Sequence, residues 1–472
     1  MRSSSLLLCL LFCASVSAES FDLVIEGGRV MDPETGLDAV RNVGIANGKV
    51  ARISSERLSG ARVLQAQGLV VSPGFVDLHQ HAQDPESGRL KAMDGVTTAL
   101  EMEIGAPDVA AFLARKAGHS VINFGTSASH VAARAAVFGA PLPADRILPQ
   151  AGPATNDAAA DAQIDAIEQR LRHELDAGAL GIGMGIEYTP GASHHEVIRM
   201  FRVAAERRVP IFTHIRSANV ADPGSGVASV QEVIAAATVT GASLHIVHVN
   251  SMCTKQSLEC LGLIAGARAR GIDVTTEAYP YVAAMTYVNS AAFNPGWREL
   301  QGLDYGDLAM PDSGERLTRE RFEALHASSD PQLVLMYVNT DAMVDSIMPN
   351  PLVIVASDGG PGHPRNAGTY SRVLARYVRD LGSITLMDAI RKMSLMPAQR
   401  MEKATPDARR KGRLQPGADA DVAVFDPRTV ADRATYKAPR EPSTGMRFVI
   451  VNGVLVVDQG KPVPNAFPGK SL

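Results

Sequence analysis

The chain has 472 residues, of which 46% are hydrophobic and 20% are charged, and its formal net charge is −4. This composition is typical of a globular protein with a large core and excludes a disordered or fibrous chain. The sequence has no blocks of lysine and arginine, which argues against nucleic acid or anionic lipid as a partner. We therefore expect the partner to be a small molecule.

Residues 1–18 have the features of a secretory signal peptide. One arginine precedes an apolar run from Leu6 to Phe12, and the small residues Ser17 and Ala18 follow. The run is shorter than a membrane span, so a membrane anchor is the weaker interpretation. The sequence predicts cleavage after Ala18 and a soluble protein in the bacterial periplasm, with no membrane anchor left after cleavage.

Cleavage there would leave two cysteines, Cys253 and Cys260. On one helix they would lie two turns, about 10 Å, apart, which is too far for a disulfide. We therefore predict two free thiols and a fold that is held together by its core.

Both ends of the chain have alternating, turn-rich patterns typical of β structure. They are FDLVIEGGRVMDPETGLDAVRNVGIANGKVARI near the start, and ADADVAVFDP and RFVIVNGVLVVDQGKPV near the end. The NG and GG pairs predict hairpin turns. Because these segments flank everything else, we predict one small β-sandwich, with residues 19–72 and 401–472 as its two parts.

Between residues 73 and 400, short apolar runs alternate with helix-length segments. The runs are GFVDLH, GVTTALEME, SVINFGT, ALGIGMG, VPIFTH, SLHIVHV, GIDVTTEA and PLVIVASD. Eight such runs predict an α/β fold with a parallel (β/α)8 TIM-type barrel. A doubly wound open sheet is the alternative, because the run count does not give the strand order. Residues 283–351 predict an insertion that serves as a lid or a substrate loop.

Histidines and acidic residues fall at the ends of five of these strands, where barrel enzymes carry their chemistry. They are His79, His81, Glu103, His214, His248 and Asp358. His79 and His81 lie two apart and share a face of the first strand. Singly, a strand-end histidine is usually a surface or hydrogen-bonded residue, but six converging positions favour a shared site.

Four imidazoles and two carboxylates suit Zn2+, or Mn2+ or Fe2+, as one ion or as two if a carboxylate bridges them. Many such barrels bridge their metals with a carbamylated lysine at the end of the fourth strand, but this chain has no lysine between Lys116 and Lys255. Glu101 and Glu103 share a face of the second strand. We favour Glu103 as the bridge because it lies nearer the carboxyl end of the strand, with Glu101 as the alternative. Either glutamate could instead have a purely structural role, in a buried ion pair with an arginine.

From about Phe21 to the end, the chain resembles the metal-dependent amidohydrolases, and among them the N-acyl-D-amino-acid deacylases. The motifs that carry the resemblance are PGFVDLHQH, DGVTT, GALGIGMGIEYTPG, THIRS, HIVHVNS, EAYPY, SDGGPGHPRNAGTYSRVLARYV and KGRLQPGADADVAVFDP. Together they are specific for the superfamily and less specific for the subgroup.

The resemblance implies that His79 and His81 bind one metal, His214 and His248 the other, and that Asp358 is the general base. Two positions depart from the D-aminoacylase pattern. The family's cysteine after the second strand, in an NCG context, is replaced by EIG, so Glu103 or Glu101 looks like the substitute. Asn250 stands where the family has a lysine for the substrate carboxylate, so the resemblance does not specify the substrate.

These residues predict hydrolysis of an amide. A metal lowers the pKa of a bound water, so that hydroxide attacks a carbonyl that the metal also polarises. Asp358 takes the proton from the water and returns it to the departing amine. The alternative is that Asp358 has no catalytic role and only forms the turn in SDGG. His130 and Tyr188 are candidates for holding the oxyanion or the acyl group, with a solvated loop histidine and a half-buried tyrosine as the structural alternatives.

The substrate's carboxylate needs forked donors, and Arg365 and Arg216 supply them. Arg365 matches the family's carboxylate-binding position. For Arg216 two interpretations are equally good: it binds the substrate's carboxylate, or it pairs with Glu101 or Glu103. Tyr279 adds a hydroxyl, and His363 is predicted to set the loop that aims Arg365.

Two enzyme functions and one non-enzymatic function remain open. The first is deacylation of a linear N-acyl-D-amino acid or hydrolysis of a small peptide with a D-residue. The second is hydrolysis of a cyclic amide, as in hydantoinases and dihydroorotases, although the missing fourth-strand lysine speaks against it. The third is a non-catalytic binding barrel, which would not need Asp358 beside four histidines. Association into a homo-oligomer is also open.

Overall fold

The computed structural model describes residues 20–142, 148–222 and 224–472. The predicted signal peptide, residues 1–18, lies outside the described residues. Within those ranges no helix combines the length and the apolar character that crossing a membrane requires.

Twenty strands are described. In chain order they are β1 Ser20–Asp32, β2 Leu37–Ala46, β3 Lys49–Ser54, β4 Ser59–Gln65, β5 Val70–Pro73, β6 Phe75–Asp77, β7 Val96–Ala106, β8 Asn123–Ser129, β9 Ile182–Gly185, β10 Pro210–His214, β11 Ser243–Ile246, β12 Val274–Ala278, β13 Ala283–Tyr287, β14 Leu308–Ala309, β15 Leu333–Tyr337, β16 Val353–Val355, β17 Val422–Phe425, β18 Met446–Val451, β19 Val454–Asp458 and β20 Lys461–Pro462.

The α-helices follow the same order. They are α1 Pro85–Met93, α2 Val109–Lys116, α3 His130–Val137, α4 Pro153–Asn156, α5 Asp161–Asp176, α6 His194–Arg207, α7 Gly226–Thr240, α8 Val249–Cys253, α9 Ser257–Ala269, α10 Trp297–Gln301, α11 Arg319–His326, α12 Asp341–Ile347, α13 Arg365–Arg372, α14 Leu386–Ile390 and α15 Met396–Met401. Segments with wider π-type turns extend α13 through Val373–Asp380 and join α14 to α15 through Arg391–Leu395.

Eight parallel strands form a nearly closed barrel, as the eight apolar runs predict. Their order is β6, β7, β8, β9, β10, β11, β12 and β16, which is also their order along the chain. The strands β13, β14 and β15, which come between β12 and β16 in the sequence, form a separate sheet. The first and last strands approach each other where the N–H of Gly359 donates to the carbonyl of His79 over 3.2 Å. All carboxyl ends therefore meet at one mouth, which confirms the predicted fold class.

The barrel strands are apolar because both of their faces are covered. All eleven residues of β7 are buried, for example. Inside the barrel Leu78, Leu100, Phe212 and Val247 pack together. Parallel strands that are buried on both sides lack a polar face, which explains the continuous apolar runs in the sequence.

The two ends of the chain share one mixed sheet of nine strands, and this β-sandwich domain confirms the second part of the predicted fold. Its order is β20, β19, β18, β17, β5, β1, β2 and β3, and β4 also pairs with β1. The N-terminal and C-terminal parts meet where β5 runs antiparallel to β17. Val30, Val43, Phe448 and Ile450 belong to the core of this domain.

The segment between β12 and β16 has its own small core. Strands β13 and β14 pair antiparallel to β15. Phe293 and Trp297 meet edge to face, with ring centroids 5.2 Å apart. The segment contributes Met285 and Met336 to the lining of the cavity described below.

The prediction of two free thiols is wrong, because Cys253 and Cys260 form a disulfide. The prediction placed both on one helix. In the structure Cys253 ends α8, Cys260 lies in α9, and Thr254 between them has a left-handed backbone with φ 43°. That break brings the two Cα atoms to 6.6 Å, within the range of a disulfide.

Candidate metal centre and active site

The six strand-end residues lie together at the mouth of the barrel. His79 and His81 follow β6, Glu103 lies on β7, and His214 ends β10. His248 and Asp358 come just after β11 and β16, and both have a left-handed backbone, with φ 24° and 51°. Such conformations are uncommon for residues other than glycine and are often found at functional sites.

The carboxylate of Glu103 lies between two pairs of histidines. Its Oε2 is 3.1 Å from Nε2 of His79 and 3.2 Å from Nε2 of His81. Its Oε1 is 2.6 Å from Nδ1 of His214 and 2.8 Å from Nε2 of His248. Each oxygen of one carboxylate thus faces its own pair of imidazoles.

Two groups of side chains are placed to hold a divalent cation. The first is His79, His81, Glu103 and Asp358, and the second is Glu103, His214 and His248; in each group the ligand atoms lie within 4.8 Å of one another. Glu103 belongs to both groups. Imidazole nitrogens with carboxylate oxygens are the donor set of catalytic zinc sites, so the residues fit one or two such ions.

Each of the four histidines has a hydrogen-bond partner on its other ring nitrogen. Nδ1 of His79 lies 2.6 Å from Glu277, and Nδ1 of His81 lies 2.6 Å from Glu101. Nε2 of His214 lies 2.9 Å from Glu187, and Nδ1 of His248 lies 3.0 Å from the hydroxyl of Ser251. Such partners fix the orientation and tautomer of a ligating imidazole. The structure therefore places Glu103 between the pairs and Glu101 behind one of them.

The electrostatics of the site reflect these contacts. Burial alone would raise the pKa of Glu103, but the charges of His79 and His214 hold it well below its usual value. Burial would lower the pKa of His214, but Glu103 and Glu187 raise it to about 9. Burial also disfavours the charged form of Asp358, yet Arg365 and His79 keep its pKa below the ordinary range. The carboxylates are therefore ionised at neutral pH.

A cavity of about 870 Å³, counting the space open to solvent, lies above these residues. Tyr188, Asp358 and Arg365 line it beside the histidines. Nη1 of Arg365 is 2.9 Å from Oδ2 of Asp358. Its guanidinium lies 4.7 Å from the ring centroid of Tyr279. Most of the remaining wall is apolar and includes Leu148, Met252, Met285, Leu333, Met336 and Val338.

Comparison with known proteins agrees with this geometry. The profile of the amidohydrolase family matches residues 62–457. This chain belongs to the amidohydrolase family. It is thus an enzyme that hydrolyses carbon–nitrogen bonds other than peptide bonds.

Two curated relatives resemble the amidohydrolase over nearly its whole length. N-acyl-D-glutamate deacylase of Alcaligenes xylosoxydans xylosoxydans is 32% identical and covers 96% of this chain and 97% of its own. D-aminoacylase of the same organism is 30% identical, with 93% and 95% covered. A dihydroorotase of Geobacter metallireducens is 25% identical, over 92% of this chain and 99% of its own.

Among solved structures, the amidohydrolase resembles N-acyl-D-glutamate deacylase from Bordetella bronchiseptica, complexed with zinc and a phosphonate inhibitor. The TM-score is 0.79 at 29% identity, over 96% of this chain and 100% of that one.

Three other predicted site residues of the amidohydrolase have different partners. His130 binds Glu196 over 2.8 Å, with both side chains fully buried. Arg216 pairs with Glu232 over 2.6 Å, and not with Glu101 or Glu103. These two predictions need correction, because neither His130 nor Arg216 is among the described residues that line the cavity.

Asn250 also lies behind the cavity wall. Its Nδ2 donates to the carbonyl of Tyr279 over 3.2 Å, and the residue is not among the described residues that line the cavity. Nδ1 of His363 accepts the backbone N–H of Arg365 over 3.1 Å, and its Nε2 lies 3.0 Å from the carbonyl of Ala283. It therefore connects the loop of Arg365 to the first strand of the insertion.

Sequence reasoning missed Glu277, Glu187 and Ser251. Burial would raise the pKa of Glu277, but His79 and His245 lower it to about 2. Two sequence signals were available. Glu277 is an acid inside a barrel strand, in TTEA, and Glu187 is an acid just past a strand end, in GIEY. Glu277 and Glu187 contact predicted ligands that are distant in sequence, His79 and His214, whereas Ser251 lies three residues after its partner His248.

Proposed function

We propose that the enzyme removes the acyl group from N-acyl-D-amino acids in a metal-dependent hydrolysis. The observation that carries the proposal is the position of Glu103 between two histidine pairs, with Asp358 and Arg365 side by side on the same cavity. The names of the two curated relatives support the substrate class, and the zinc named for the Bordetella bronchiseptica enzyme supports the metal.

The residues that would hold the metal are His79 and His81 on one side of Glu103, and His214 and His248 on the other. Asp358 completes the first group. When bound, a divalent cation there supplies Lewis acidity, which polarises the amide carbonyl and acidifies water. Zn2+ fits the nitrogen and oxygen donors, and Mn2+ or Fe2+ fit them less specifically.

Asp358 moves the proton. Its Oδ1 lies 3.2 Å from Nε2 of His81, so the carboxylate reaches the centre of the site and not only its rim. Being ionised, it accepts a proton from the water whose oxygen bonds to the acyl carbon. When the carbon–nitrogen bond breaks, that proton passes to the departing nitrogen, and the products are a carboxylic acid and a free amino acid.

Arg365 binds the substrate's carboxylate. The residue is 1% exposed, and within the described chain its Nε has no hydrogen-bond partner. A buried guanidinium with a free donor gains most from a carboxylate ligand, and Arg365 lines the cavity. Tyr188 packs on His214, with ring centroids 4.7 Å apart, and lines the same cavity, where its hydroxyl can donate to the acyl oxygen.

The cavity wall favours an apolar side chain on the substrate. Met252, Met285 and Met336 line it, and methionine adapts to varied apolar shapes. Arg365 is the one lysine or arginine among the described lining residues, and Glu187 adds a negative charge. A second substrate carboxylate would therefore lack a partner.

N-acetyl-D-methionine and N-acetyl-D-leucine are accordingly expected to be hydrolysed with a kcat/KM at least about tenfold higher than N-acetyl-D-glutamate, or about 1.4 kcal/mol in transition-state binding. The assay is amine release by zinc-loaded enzyme, with the L-enantiomers and a hydantoin as controls. Preference for N-acetyl-D-glutamate would contradict the assignment of the side-chain pocket. Hydrolysis of the hydantoin alone would contradict the proposed function.

We further propose that the enzyme is exported to the periplasm. The features of residues 1–18 support export, and so does the Cys253–Cys260 disulfide, because disulfides persist in oxidising compartments. Protein isolated from the native cells should fractionate with the periplasm, begin at Glu19 and show no free thiol until it is reduced. An intact N-terminus with four titratable thiols, those of Cys9, Cys13, Cys253 and Cys260, would contradict export.

A further inference from the structure

Glu187 is an acid of the cavity wall to which neither the family resemblance nor the mechanism gives a role. Its Oε2 lies 2.9 Å from Nε2 of His214, while Nδ1 of the same ring faces Glu103 at 2.6 Å. The Glu187 side chain is 13% exposed and that of His214 is 5% exposed. His214 is therefore held between two carboxylates in a largely buried site.

The backbone fixes this contact. Gly185 and His214 are register partners in β9 and β10. The N–H of Ile186 continues the pairing and donates to the carbonyl of His214 over 3.0 Å. Directly beyond, the N–H of Thr189 returns to the carbonyl of Ile186 over 3.0 Å, which closes a tight turn around Glu187. The carboxylate is thus aimed at His214 by the end of the neighbouring strand, and not by a free loop.

A neutral imidazole has one N–H, and its other nitrogen is the only one that can bind a metal. An N–H on Nε2 that donates to Glu187 leaves the lone pair on Nδ1, which is the nitrogen directed at Glu103. The opposite tautomer would direct the lone pair at the Glu187 carboxylate, where two acceptors would face each other.

The two histidine pairs differ in how much negative charge supports them. The first pair has Asp358 beside it, with Glu101 and Glu277 behind its rings. In the second pair His248 has only the hydroxyl of Ser251 behind it. Among the described residues, Glu187 is the one carboxylate other than Glu103 that contacts the second pair.

We propose that Glu187 is a positioning residue that fixes His214 in the tautomer that presents Nδ1 to a metal, and that the affinity of the second group for zinc depends on it. This inference rests on the proposed metal site, but not on the identity of the substrate.

Zinc affinity of the second group alone is the appropriate readout. In the double variant His79→Ala/His81→Ala, which disables the first group, zinc affinity is measured by competition with a chelator. Adding Glu187→Leu should weaken binding by about 10- to 100-fold, the usual effect of losing such a partner. Glu187→Gln should retain most of the affinity, since its amide oxygen still accepts from Nε2. The melting transition of each variant shows that it is folded.

Glu232→Leu is the matched control, because this half-buried acid of α7 pairs with Arg216 and touches no histidine of the two pairs. Its affinity for zinc should remain within about threefold of the parent, which distinguishes contact with His214 from long-range charge. Unchanged affinity in Glu187→Leu, or equal weakening in Glu232→Leu, would overturn the inference. Absence of deacylase activity would count against the proposed function and leave this measurement unaffected.

Discussion

Replacing Asp358 with asparagine should remove nearly all turnover while the metal stays bound. Asparagine keeps the shape of the side chain and an oxygen that can bind a cation, but it cannot accept and return a proton. Losing a general base typically lowers the rate by about 10²- to 10⁴-fold. The measurement is kcat with N-acetyl-D-methionine at saturating zinc, together with metal content determined by mass spectrometry.

Asp380→Asn is the control for this substitution, since Asp380 forms an exposed pair with Arg379 away from the barrel mouth. That variant should retain full activity. If Asp358→Asn turned over substrate at the rate of the parent enzyme, another group would have to carry the proton. If it lost its metal as well, Asp358 would have to be assigned mainly as a ligand.

The second large effect concerns Glu103→Gln, which should lower metal occupancy. The carboxylate offers one oxygen to each histidine pair, whereas the amide of glutamine offers one oxygen and one NH2 group. The NH2 group would face one of the pairs and cannot bind a cation. At least one of the two groups should therefore lose its metal after dialysis against zinc-buffered solution.

Glu101→Gln provides the comparison for Glu103→Gln. One carboxylate oxygen of Glu101 contacts Nδ1 of His81, and the other accepts hydrogen bonds from the backbone N–H groups of Ile104 and Gly105. Its replacement should lower occupancy much less. If metal occupancy stayed the same in Glu103→Gln and fell in Glu101→Gln, the shared ligand would be Glu101 and not Glu103.

Much of the site could be predicted because its members follow local rules. Apolar runs identify strands that are buried on both faces, and a parallel barrel brings all their carboxyl ends to one mouth. A period of two predicts that His79 lies beside His81 and Glu101 beside Glu103. The two histidines in fact lie just past β6, where their Nε2 atoms are 3.2 Å apart. The greater proximity of Glu103 to the end of its strand was enough to favour it as the shared residue.

Other features depend on contacts that the sequence does not encode locally. The disulfide requires the left-handed conformation of Thr254, which breaks a helix that the pattern would continue. His130 and Arg216 lie at or just past strand ends, as His214 and Asp358 do, but His130 pairs with Glu196 and Arg216 pairs with Glu232. Glu187 and Glu277 became relevant only when the fold placed them against histidines of other strands.

X-ray diffraction at the zinc absorption edge tests the central claim most directly. In crystals of the zinc-loaded enzyme, the account predicts anomalous peaks at about 2.0–2.2 Å from the carboxylate oxygens of Glu103, a typical zinc–oxygen distance. His79 and His81 should flank one peak and His214 and His248 the other. Bound zinc with no peak next to Glu103, or a peak held by residues outside these two pairs, would contradict it.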